Sequence, residues 1–319
     1  MESNSTARIV QGFGYALVGL AIVFSLVSLA FVLYFRKRPI VAMGQPTMLS
    51  LICLGALLSS IGLAFHIMII FSDDLGDRGN SYCKVAIWTL DPGSLLIQTV
   101  LACKLYRVSK VMRFRRDQTI SAQQVLWWPF LIVMLVFLVP NIVLQALYPE
   151  DYQVIESFGH CYASGSKNAL VFYILDILIH FSIQVFIFVF AWRLRTTNEE
   201  IAESRRIFQL SCFDIGILVL YWLIGLLVGQ MNVFGIEQAT ADYINVVSDY
   251  VYWFLYVMGS IGFLVIPRMY YVHHEHLHGC LPETVLVQGM GQVHVSMTTI
   301  TPTITTPPAS PGLSPLQAV

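Results

Sequence analysis

The chain is 319 residues long, 56% hydrophobic and only 12% charged, with a formal net charge of −1. Soluble domains carry about 25% charged residues, so a soluble enzyme and a disordered chain are both excluded, and the charge balance gives no sign of nucleic-acid binding. What remains is a protein whose solvent is mostly lipid.

Residues 1–13 are short and polar. They are expected to form an extracellular N-terminus with an N-glycosylation sequon, Asn4-Ser5-Thr6. The apolar run that follows is too long for the core of a signal peptide and ends in Arg36-Lys37-Arg38, so it reads as a membrane span. A spanning helix needs about 20 mostly apolar residues. Seven segments qualify: 14–35, 48–71, 85–106, 126–148, 169–192, 207–229 and 244–267. The connections are short, which leaves no room for a second soluble domain of ordinary size. No internal repeat is visible, which weighs against a transporter built from duplicated halves. The expected fold is an all-α membrane protein, a seven-transmembrane helix bundle over residues 14–272. Residues 273–319 are expected to be a disordered cytoplasmic tail, rich in Thr, Ser and Pro from Ser296 onward.

Lysine and arginine set the orientation. With the N-terminus outside, fourteen of the 18 basic residues face the cytoplasm, and only Arg8, Arg78, Lys84 and Lys167 stay outside. The expectation is therefore N-terminus out, C-terminus in, as a multi-pass protein of the plasma membrane.

Of six cysteines, only Cys83 and Cys161 fall on the oxidising side under this topology. A disulfide between them would tie the second outer loop across the mouth of the bundle. Asp91, Asp176 and Asp249 lie in the outer parts of the third, fifth and seventh spans. His180 is one turn after Asp176, and Gln98 is two turns below Asp91. Ionisable residues inside a membrane are costly and face a cavity or a partner. One reading is a ligand pocket lined by these five. The other is helix packing through hydrogen bonds. Asp214, deeper in the sixth span, is assigned to a switching network. His273, His274, His276, His278 and Cys280 have the chemistry to bind a metal, but a short exposed histidine run is more often incidental. No metal site and no cofactor are expected. Cys280 is a juxtamembrane cysteine of the kind that is palmitoylated.

Particular residues carry a family likeness. The third span has Cys83-Lys84-Val85-Ala86-Ile87-Trp88, then Gly93-Ser94, then Lys104-Leu105-Tyr106-Arg107-Val108. This resembles the third helix of family 3 (class C) G-protein-coupled receptors. Gln45-Pro46, Thr196-Thr197-Asn198 and Glu203-Ser204-Arg205 resemble the metabotropic GABA-B branch. Ile266-Pro267-Arg268-Met269 is similar to the family's Pro-Lys signature, with Arg in place of Lys. The resemblance covers about residues 14–272. It implies signalling to a heterotrimeric G protein, without catalysis, and an inner ionic lock between Lys104 and Glu203; the bland alternative for that pair is two solvated charges. Arg107, Lys110, Arg113, Arg115, Arg116, Arg205 and Arg206 are candidates for contact with the G protein or with anionic membrane lipid. The family usually carries a large outer ligand domain, so the short N-terminus implies a bundle ligand or a homo- or heterodimer with a ligand-binding subunit. Asp91-Pro92 stands where the family has apolar or small residues. The alternative function is a seven-helix transporter or proton-coupled carrier. A retinal protein is excluded because the seventh span has no lysine, and a seven-helix hydrolase lacks His and Asp ligands at one depth.

Overall fold

A computed structural model describes residues 2–43, 45–70, 76–113, 122–147, 167–194, 202–231 and 238–278. Their regular structure is entirely helical: α1 (Glu2–Tyr34), α2 (Pro39–Met43), α3 (Pro46–Ile70), α4 (Gly76–Arg113), α5 (Ala122–Leu147), α6 (Lys167–Leu194), α7 (Ala202–Met231), α8 (Gln238–Leu264) and α9 (Ile266–His278). Among the described residues six helices are long and apolar enough to cross a membrane, and α5 adds a shorter apolar stretch, Trp128–Pro140.

Two boundaries differ from the sequence expectation. The first helix starts at Glu2, so residues 2–13 extend it toward the N-terminus, with no glycine or proline before Gly12 to stop them. At the other end, helix resumes at Ile266 and runs to His278, so the histidine run is helical. Pro267 fits the first turn of a helix, and Gly279 is the next breaker. Residues 279–319, including Cys280, lie outside the described residues, as do Cys161, Arg115 and Arg116.

Proline also places the start of α3. Pro46 disfavours helical backbone at Gln45, which takes a left-handed φ of 58°, and the helix begins at the proline itself.

The most extensive contact joins α3 and α4. Gly55, Ser59 and Gly62 form one stripe of α3 against Leu90 and Gly93 of α4. A Cβ on Gly62 would lie 2.5 Å from the Leu90 nitrogen, and one on Gly93 would lie 2.6 Å from the Ser59 nitrogen. The two backbones touch because the side chains between them are nearly absent. The seam crosses Pro92, which sits inside α4 and has no N–H to donate. Hydroxyls bond the carbonyls beside it: Ser59 Oγ donates to Leu90 O at 3.3 Å, and Ser94 Oγ to Asp91 O at 2.9 Å.

On its other sides α4 meets α5 and α6, while α8 packs on α1, α3 and α7. Tyr250 of α8 is fully buried with Val18, Leu63 and Ile67. Where α8 ends, the Arg268 guanidinium donates to the Leu264 carbonyl. That satisfies a terminal acceptor at the negative end of the helix dipole and gives the Pro-Arg signature a structural task.

Candidate functional site

The polar groups of the spans gather between helices. Gln98 on α4 is 8% exposed, and its Oε1 lies 3.0 Å from His180 Nδ1 on α6. An amide oxygen only accepts, so Nδ1 carries the proton. Tyr256 of α8 donates to the Ser94 carbonyl of α4 at 3.3 Å and is hydrogen-bonded to the Gln98 side chain. Three helices therefore meet at Gln98. Asp214 of α7 is 7% exposed, with one oxygen unpartnered, in electrostatic reach of Tyr252 and Tyr256. Gln184 of α6 donates to Ser211 of α7 at 3.4 Å. Each contact joins two different helices, so the network ties α4, α6, α7 and α8 to one another.

The other pocket candidates sit apart. Asp249 of α8 pairs with His66 of α3, Oδ2 to Nε2 at 3.4 Å. Asp91 is half-buried in α4 beside Pro92. Asp176 lies on α6 with its side chain outside the described residues. A cavity of about 340 Å³ lies elsewhere, between α4, α5 and α6, lined by Thr99, Cys103, Val133, Ser182 and Phe186 among others. None of the five candidates lines it. His66 and Tyr256 were not singled out in the sequence. An ionisable residue inside a span was the available signal for His66. Tyr256 gave none, because buried aromatics abound in these helices.

Toward the C-terminal end of α4, Lys104 is fully buried, while Glu203 lies in the first turn of α7 with its side chain outside the described residues. Of the basic candidates, Arg205 is exposed and Arg107 half-buried. Arg206 donates to the Tyr271 hydroxyl of α9 at 2.7 Å, its guanidinium 5.5 Å from that ring. Lys110 and Arg113 lie in the last turns of α4, their side chains outside the described residues. Asn4 falls in the first turn of α1, likewise with its side chain outside them. Among the described residues Cys53, Cys103 and Cys212 are free thiols; Cys83 is fully buried and is not one of them.

Long apolar helices with polar groups turned to one another define a helical multi-pass membrane protein. The chain belongs to the family described as the 7 transmembrane sweet-taste receptor of 3 GCPR, which matches residues 5–268. The match runs from the first turns of α1 to Arg268 in α9. No curated protein matches the chain.

Proposed function

We propose that this protein is a family 3 receptor of the plasma membrane that signals to heterotrimeric G proteins, with seven spans, its N-terminus outside and its C-terminus in the cytoplasm. One observation carries the reading: the family match covers the whole bundle. The span beyond the six long apolar helices is α5, the fourth in chain order, whose 26 residues contain no charged side chain. The motifs Gln45-Pro46, Thr196-Thr197-Asn198 and Glu203-Ser204-Arg205 support the GABA-B branch as the nearest one. Signalling works by repacking helices around the Gln98, His180 and Tyr256 junction, because those contacts cross three helices without a covalent step.

Several finer roles belong to the same reading. Cys83 and Cys161 form the outer disulfide, supported by the contrast between Cys83 and the three free thiols. Lys104 and Glu203 form the inner lock, since a fully buried ammonium requires an acceptor. Asp91, Gln98, Asp176, His180 and Asp249 form the polar lining that a bundle ligand meets, unless a partner subunit supplies the signal. Arg107, Lys110, Arg113, Arg115, Arg116, Arg205 and Arg206 face the G protein and anionic lipid. Asn4 is glycosylated and Cys280 palmitoylated.

The test is G-protein activation in cells with and without the chain. Lys104→Ala and Glu203→Ala are each expected to raise basal signalling at equal surface level, and exchanging the two charges to restore part of the restraint. No G-protein activation by the wild type or either variant would overturn the reading and leave transport, measured as proton-coupled uptake, as the alternative.

A further inference from the structure

The histidine run is ordered into a helix, and that changes what it can do. His274 and His278 lie one turn apart on α9, on one face. Their rings stack with centroids 4.3 Å apart and an interplanar angle of 23°. His278 Nδ1 lies 3.2 Å from the backbone carbonyl of His274. A carbonyl only accepts, so Nδ1 bears the proton and Nε2 keeps its lone pair. Metal-bound imidazoles are held in this way, with one nitrogen on the ion and the other donating to a carbonyl or carboxylate. Residues 274–278 also read His-Glu-x-x-His, the pattern in which two histidines on one helix face hold a zinc ion.

We infer that His274 and His278 form a binding site for a divalent transition metal of the zinc type at the end of α9. Imidazole suits such ions; the rings now stack face to face, and turning both ring edges toward one ion by side-chain rotation brings in zinc–nitrogen bonds of about 2.0–2.1 Å. His278 is exposed and His274 half-buried, so an ion can enter from solvent. The helix beneath is anchored: Val272 and Arg268 are buried, Tyr271 holds Arg206 of α7, and Glu275 lies 3.9 Å from Arg38 beside α2.

The site binds and does not hydrolyse. Glu275, which would act as the base in a peptidase, faces Arg38 instead. Among the described residues no group of three or more His, Cys, Asp or Glu side chains is placed to hold an ion; two imidazoles leave the remaining positions of a tetrahedral ion open to water. An ion across this turn stiffens the end of α9, one turn beyond the Tyr271 contact with α7. That makes the metal a regulatory ligand of the inner face.

The experiment uses the full chain, purified through a tag without histidine and titrated with Zn²⁺ against a chromogenic chelator. The expected result is about one ion per chain at the site. His274→Ala with His278→Ala is expected to weaken binding at least about tenfold. His273→Ala with His276→Ala, which removes two exposed rings outside the stack, leaves it unchanged. Thermal melting without metal checks that both variants fold alike. Binding that falls on acidification, as protons take the imidazole nitrogens, supports the site. No binding by the wild type, retention by the His274/His278 variant, or equal loss in both variants would overturn it.

Discussion

The side of the bundle built on α3 and α4 and the side built on α6 and α7 pack differently, although α3 and α7 have the same mean hydropathy, 2.2. In the crossing stretch of α4, 61% of residues are buried, and in α3 56%; in α6 the share is 22% and in α7 17%. Between α3 and α4 the backbones touch at Gly55, Gly62 and Gly93. On α7, Leu226 and Leu227 are each 66% exposed, and on α6 Phe181 is 61% exposed. In water such a face would be a liability. In a bilayer it costs nothing, because lipid tails are as apolar as leucine. The contrast teaches that apolar content does not decide which membrane helices close on each other. Close backbone approach and hydrogen bonds decide it.

Substitution can break that comparison, and the seam carries the largest expected effect. Gly62→Ala should destabilise the protein by about 1–3 kcal/mol, because the new methyl meets backbone that has no rotamer to escape through. Thermal unfolding in detergent and surface expression measure it; an unchanged melting temperature would mean that the two helices are not in contact there. Next comes the polar tie between α3 and α8. His66→Ala should cost about 0.6–1.7 kcal/mol, the range for hydrogen bonds between membrane helices. Asp249→Ala should cost a similar amount, and the double variant less than the sum of the two, which a double-mutant cycle detects.

The open side should respond with the opposite sign. Nothing lies within 4 Å of a Cβ on Gly225 of α7, so Gly225→Ala should stabilise by about 0.5–1 kcal/mol through helix propensity alone. A loss as large as that of Gly62→Ala would place an unseen partner against this face. Smallest of all is Leu226→Ala. Its side chain already faces lipid, and its effect should stay within about 0.5 kcal/mol in the same melts.

Much of this was legible in the sequence. Each expected span lies largely within one of the long helices, because about 20 apolar residues in a row leave a chain few other places to go. Gln98 and His180 were placed together in one set, as a pocket lining or as helix packing through hydrogen bonds, and they meet at 3.0 Å. Asp249 was placed in that set too, but it turns to His66. The depth of a residue follows from its position along a span. The face it presents does not follow when a helix is apolar on every side, as α3 and α6 nearly are. The histidine run shows the same limit. Its ligand chemistry was plain, but whether the rings share a face depends on α9 continuing past Tyr271, which the packing of Val272 and the capping by Arg268 support.

Sequence alone determined that the chain is a helical membrane protein, roughly where each span lies, and which residues resemble family 3 receptors. Hydropathy and motif spacing are properties of a line, and they survive without any knowledge of neighbours. Tertiary structure decided how each helix is rotated: that α3 closes on α4 through glycine, that Tyr256 reaches Ser94 and Gln98, and that Arg206 is held by Tyr271. The reason is physical. In lipid no hydrophobic penalty orients an all-apolar helix, so its rotation is set by the few places where backbones can touch or polar groups can find one another.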